Sequence, residues 1–177
     1  MIHYGVRLAK GFVNEFSRRF GFSLESYLAR IALTSPEERL QYGALPYRLM
    51  DDGSVEFLLV TSRRTKRWII PKGWPIKGLG PAATAEREAF EEAGVLGKIS
   101  QRSVGSFQYL KQLKDGSRSV TCNVLVFPLR VDRELTAWPE ADQRELCWLD
   151  PEHAANRISD AGMRGVIETA AVRMRRA

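Results

Sequence analysis

Apolar positions along this chain follow two periods, and the change from one to the other falls near residue 43. Up to that point they recur in fours: Leu8, Phe12, Phe16 and Phe20 would share one face of a helix. Ser35-Pro36-Glu37-Glu38 has the form of a capping box with proline in the first turn. Residues 1–42 are therefore read as a helical N-terminal extension packed on the core, and residues 43–177 as the main domain. From Gly43 the period shortens. Leu45 to Met50 and Val55 to Thr61 flank Asp51-Asp52-Gly53 and read as a hairpin, followed by Trp68-Ile69-Ile70 as a short strand entering a loop rich in glycine and proline. A helix is expected from Pro81 to Ala93, closed by Gly94. Val104 to Leu113 and Val120 to Val131 face each other across the turn signal Asp115-Gly116. Glu145 to Leu149 reads as a last strand, Asp150-Pro151 opens a helix, and Met163, Val166, Ile167, Ala170 and Met174 mark the stripe of a final one. Strands around one central helix, with helices at both ends, predict an α/β (α+β) sandwich.

Composition narrows the class. A chain of 177 residues suits one domain, at roughly 100–200 residues each, and 44% hydrophobic content supplies one core. No apolar run approaches the ~20 residues of a membrane-spanning helix, and the first residues lack the basic-then-apolar layout of a secretory signal. Cys122 and Cys147 have no metal-ligand spacing and are expected to pack as small apolar groups. The protein is accordingly read as cytoplasmic and reduced. A net charge of +6 favours anionic partners, and its distribution decides which.

Glu88, Glu91 and Glu92 stand at i, i+3 and i+4, so they project from one face of the expected helix. Ala82, Ala85, Ala89 and Ala93 form the neighbouring stripe, which lets the helix lie close against a sheet. Gathering like charges costs a helix roughly 0.2–0.5 kcal/mol per pair, and its C-terminal half is where the dipole also disfavours them. Arg87, four residues before Glu91, offsets part of this. A divalent cation would reverse the balance, and carboxylate oxygens suit magnesium, which also binds substrate phosphates. Taken alone, three glutamates in five residues are more often a solvated acidic face. The upstream segment changes that reading: no acidic residue lies between Glu56 and Glu86, yet Arg63, Arg64, Lys66, Arg67, Lys72 and Lys77 do. A basic loop beside an acidic face is what a metal–polyphosphate complex requires, cations on the outer phosphate oxygens and carboxylates on the metal. Lys72 and one or both of Arg63 and Arg64 are the expected phosphate ligands, with Gly73, Trp74 and Lys77 beside them in the loop, whereas Trp68 and Trp148 are expected in the core.

The stretch from Gly73 to Val95 resembles the box of the Nudix hydrolase family, G-x5-E-x7-R-E-U-x-E-E-x-G-U, with U aliphatic. Gly73 matches the opening glycine. Arg87-Glu88-Ala89-Phe90-Glu91-Glu92-Ala93-Gly94-Val95 matches the second half at every specified position, with Ala89 standing for the aliphatic residue. The resemblance implies a Nudix-type α/β/α sandwich with a mixed sheet, and hydrolysis of a diphosphate linkage by metal-activated water. It also implies that Glu88, Glu91 and Glu92 coordinate Mg²⁺ or Mn²⁺, one of them serving as base. The first box glutamate is replaced by Leu79; by resemblance that position orients the loop and Arg87 rather than holding metal. Glu140 and Asp142 are the candidates for a further base or ligand outside the box, the ordinary alternative being two loop acids. Within the family, Trp68-Ile69-Ile70-Pro71-Lys72-Gly73, together with Trp138-Pro139-Glu140 and Glu145-Leu146-Cys147-Trp148, looks most like the diphosphoinositol polyphosphate and diadenosine polyphosphate hydrolase branch. The implied partner is a small polyphosphate, with no membrane.

Two other classes compete. A non-catalytic Nudix-fold regulator that binds a nucleotide or polyphosphate is favoured only by Leu79, since binding alone does not need a carboxylate cluster. A nucleic-acid binder is suggested by the pI near 9.6 and by Arg173, Arg175 and Arg176, but the chain has no reading helix, aromatic RNA motif or zinc spacing. An RNA 5′-end pyrophosphohydrolase would join the two ideas. His3 and His153 are the only histidines, which argues against a histidine triad or a zinc hydrolase. For residues 1–42 the sequence leaves three roles open: covering the sheet, forming a homodimer, or capping the pocket.

Overall fold

The computed structural model describes residues 39–112 and 119–174. The helical reading of residues 1–38, the turn at Asp115-Gly116 and the C-terminal Arg175 and Arg176 lie outside the described residues. Among those described, the elements are β1 (Arg39–Leu49), β2 (Val55–Thr61), β3 (Trp68–Ile69), β4 (Lys72–Gly73), α1 (Pro81–Ala93), β5 (Val95–Ile99), β6 (Gly105–Gln112), β7 (Ser119–Glu134), β8 (Leu146–Leu149), α2 (Pro151–Arg157) and α3 (Ala161–Met174). One mixed sheet joins the strands. β1 runs parallel to β7, from Arg39 opposite Cys122 to Tyr47 opposite Arg130, and the other pairings are antiparallel.

Alternation along the strands divides the core. Phe57 and Leu59 point to one face, where they pack with Val124, Val126 and the apolar stripe of α2 and α3; Leu58 and Val60 point to the other, under α1. The alanine stripe does what its size allows: Ala82, Ala85, Ala89 and Ala93 are all buried against Ala44, Phe127 and Leu129. Gly94 closes α1 in the left-handed region at φ 64°, its amide donating to the Phe90 carbonyl. A Cβ there would also strike the Trp138 ring, so glycine is required twice over. Helix on one face and helices on the other make the expected α/β/α arrangement.

Three strand assignments differ from the sequence reading. β1 begins at Arg39, so residues 39–42 belong to the sheet and a boundary at residue 42 would cut a strand. Polar Gln41 hides the alternation there, because it is buried. β5 went unforeseen because Gly97 interrupts its apolar run; the register shifts between Leu96 and Gly97, and a Cβ on Gly97 would collide with the Arg130 carbonyl. β4 is only two residues long, too short to carry a period.

Candidate active site

A cleft of about 1470 Å³ opens between the C-terminal half of α1, the loop after β2 and strand β6. Its acidic wall is assembled from two distant segments. α1 supplies Glu88, Glu91 and Glu92, and the loop between β7 and β8 supplies Glu140, whose amide donates to the Glu91 carbonyl at 3.2 Å. Of the two acids proposed from that loop, Glu140 reaches the cleft, whereas Asp142 is exposed in a short 3-10 turn and does not line it.

The four carboxylates are held differently. Glu92 is buried, accepting from the Arg144 guanidinium on Oε1 and from the Lys72 amide on Oε2 at 3.3 Å. Glu140 accepts from Arg144 at 2.6 Å and from Arg63 at 3.0 Å, and Glu91 accepts from Arg87 at 2.5 Å through one oxygen. Glu88 is half-buried and is the one of the four with no hydrogen bond or ion pair to any described residue. Burial, then the charges of Glu91 and Glu140, push its carboxyl above the ordinary range. Burial also raises Glu92, to about 7, against the opposing pull of Arg144 and Lys72. Gly73 makes room for this arrangement, because a Cβ at that position would collide with the Glu88 carboxylate. The opening glycine of the box and its first helical glutamate are thus a matched pair.

Arg144 is the residue that the sequence did not disclose. Its side chain is only 3% exposed, and it bonds the Thr61 carbonyl at 2.9 Å as well as Glu92 and Glu140. It therefore ties the end of β2, α1 and the β7–β8 loop together. Glu140 is four residues away, but Thr61 and Glu92 lie 83 and 52 residues away in sequence, and no local pattern announces those two. Arg87 turns onto Glu91, and Leu79, which stands where a carboxylate was expected, is exposed at 44%.

The basic residues divide in two groups. Arg63 is paired with Glu140, and Lys66 donates to the Gln143 carbonyl at 3.0 Å, joining the loops on either side of the cleft. Arg64 and Arg67 line the cleft without a carboxylate partner among the described residues. Lys72 lies in the cleft wall, its ammonium lowered to about 8 by burial, with Glu92 opposing and Lys111 and Arg144 adding to the fall. Trp74 lines the cleft, but Lys77, proposed beside it, is exposed and does not. Trp68 packs at the edge of the core with Arg157 over its ring at 5.1 Å, and Trp148 is half-buried under Arg48 at 4.4 Å.

This donor set suits a hard divalent cation. Glu88 offers both oxygens and Glu91 one, in a half-buried pocket where no cation is paired with Glu88 among the described residues. Among the described residues no three acidic, histidine or cysteine side chains already stand as a ligand group, because arginines hold the others. No helix among the described residues is long and apolar enough to cross a membrane.

Comparison with known proteins agrees with this geometry. The NUDIX domain family model matches residues 41–170. Nudix hydrolase 17, mitochondrial, of Arabidopsis thaliana is 32% identical over 139 residues, covering 75% of this chain and 73% of that protein. Diphosphoinositol polyphosphate phosphohydrolase 3-beta of Bos taurus is 37% identical over 87 residues, 49% of this chain and 48% of that one. The binary complex of the C. elegans Ap4A hydrolase superposes with a TM-score of 0.59 at 21% identity, over 77% of this chain and 97% of that structure, a likeness of fold. With the box in place and most of its length matched, the chain belongs to the Nudix family of hydrolases, which act on pyrophosphate bonds.

Proposed function

We propose that this cleft hydrolyses a diphosphate linkage within a small, highly charged polyphosphate, a diphosphoinositol polyphosphate or a diadenosine polyphosphate. The observation that carries the reading is Glu88, a half-buried carboxylate left without a described partner and facing a cleft lined by Arg64, Arg67 and Lys72. Glu88, Glu91 and Glu92 would hold Mg²⁺ or Mn²⁺; the bonds on Glu92 do not exhaust its lone pairs. When bound, such an ion supplies charge neutralisation on the phosphates and a lowered pKa for water. Arg64 and Lys72 bind the outer phosphate oxygens, and Arg63 exchanges Glu140 for phosphate as substrate enters. Glu140, once released from Arg63 but still held by Arg144, is the proposed proton acceptor for the attacking water. The cattle and nematode proteins named above support the two substrate classes, as does the excess of cations in the cleft.

The test is a panel of diphosphates incubated with the purified chain and Mg²⁺, with phosphate products measured. Turnover of inositol or dinucleoside polyphosphates, abolished by EDTA, is the expected result. One observation favours a second reading: the carboxylates are not already gathered as a ligand group, as a polyphosphate-binding regulator would tolerate. Tight binding of a panel compound in EDTA, with no turnover in Mg²⁺, would select that reading instead.

A further inference from the structure

Four adjacent strands in the order β4, β1, β7, β6 bring together, beside Lys72 of the phosphate site, further residues that the reaction described above does not use. Tyr109 on β6 lies opposite Cys122 on β7, and its hydroxyl donates to Gln41 Oε1 on β1 at 2.7 Å. The Lys72 ammonium on β4 sits over the Tyr109 ring at 5.2 Å from its centroid. Two residues along β6 on the same face, Lys111 Nζ lies 4.5 Å from the centroid of the Trp74 ring, and the Arg39 guanidinium lies 6.0 Å from it. Two rings thus carry three cations, and none of the three pairs with a carboxylate through its side chain among the described residues. The charges are close enough to be felt: burial first, and then Lys111 against the opposing pull of Glu92, make the Lys72 ammonium harder to keep protonated. An aromatic face holds an ammonium in place without neutralising it. Lys72 and Lys111 both line the cleft, and cations fixed near each other there, with no carboxylate bonded to their side chains, are preorganised for an anion.

We propose that Lys111, held on the Trp74 ring, forms with Lys72, held on the Tyr109 ring, a second anion subsite that takes a phosphate group of the substrate other than the pair flanking the scissile bond. This rests on the reading of the cleft as a polyphosphate site. Lys72 links the two halves, since its amide bonds Glu92 on the acidic wall while its ammonium reaches the rings. The subsite selects substrates with three or more phosphates over simple diphosphates. It also leaves Trp74 as a platform for a cation and not for a nucleobase.

The test uses the full chain in EDTA, so that nothing turns over. Inorganic pyrophosphate, linear tripolyphosphate and inositol hexakisphosphate are titrated by calorimetry against the unaltered protein, Lys111→Met and Lys98→Met, the last an exposed lysine outside the cleft. Lys111→Met should weaken tripolyphosphate or inositol hexakisphosphate binding about 5–10-fold, as loss of one charge-assisted contact does, while pyrophosphate binding and the thermal midpoint hold. A loss confined to the linear probe assigns the subsite to a phosphate chain, and one confined to the cyclic probe assigns it to a phosphorylated ring. Equal losses for all three probes, no loss in a folded Lys111→Met protein, or the same loss in Lys98→Met would overturn the proposal. Turnover in Mg²⁺ without any Lys111 effect would remove the subsite and leave the hydrolase, whereas the Lys111 effect without turnover would do the reverse.

Discussion

Helices α1 and α3 cover opposite faces of one sheet, and they are built on opposite terms. α3 buries Met163, Val166, Ile167, Ala170 and Ala171, and its charged positions lie away from the core. α1 buries four alanines, a threonine and Glu92, and gathers glutamates that repel one another. Large apolar side chains stabilise by about 1.5–3 kcal/mol each when fully buried, and a methyl group contributes far less. The α3 side therefore holds the fold, while the α1 side gives up stability so that a backbone can approach the sheet and a set of carboxylates can be carried close to it. The difference sets apart the α1 face as the candidate for function before any ligand is considered, because carboxylates with raised pKa values gather there beside a cleft.

The sharpest way to break this contrast is Glu88→Gln. It should lower kcat about 10²–10⁴-fold, the scale for loss of an acid–base or ligating group, while the thermal midpoint stays level or rises as repulsion from Glu91 and Glu140 disappears. A fall in both would make Glu88 a structural residue. Ile167→Ala on α3 should behave in the converse way, costing about 2–5 kcal/mol of stability in denaturant unfolding, with KM and kcat held below the unfolding range. Ala89→Leu sharpens the comparison, because that alanine has no exposed surface. Overpacking should cost about 1–3 kcal/mol and, by lifting α1 off the sheet, lower kcat as well; an effect on stability alone would show that the carboxylates do not depend on the close approach.

The smallest effect concerns pH. Glu88 and Glu92 hold their protons above the ordinary carboxylate value of 4.5, Glu92 to about 7. Between those values the folded, metal-free chain binds more protons than the unfolded one, so its stability falls as pH rises through the window. Thermal midpoints in EDTA should decline between pH 5 and pH 7.5, and a rise across that range would contradict the assignment.

How legible all this was depended on whether the interacting residues were near in sequence. The alanine stripe, the glutamate face and the Gly94 cap are written within fourteen residues, at helical spacing, and the structure has each of them. The close fit of Gly73 against Glu88 was visible only as a box glycine, since its reason is a contact between a strand and a helix. Arg144 carried no signal at all. It stands in no motif, and its partners come from β2, α1 and the loop ahead of it. Lys111 could have been found by following alternation along β6 from Phe107 through Tyr109, had the partner wall been known. Lys77, in contrast, carried the right charge in the right loop and still points elsewhere, because proximity in sequence does not fix direction in a loop.

We propose Glu88, a carboxylate with no paired cation among the described residues, as the point at which a divalent cation docks. The most direct measurement is a titration of Mn²⁺ into the metal-free chain, followed by electron paramagnetic resonance, for the unaltered protein and for Glu88→Gln. Binding should saturate, tighten from pH 6 to pH 8, and lose at least tenfold in affinity in the variant with its fold intact. Mn²⁺ binding that is unchanged in Glu88→Gln, or absent from the unaltered protein while hydrolysis proceeds in EDTA, would contradict it.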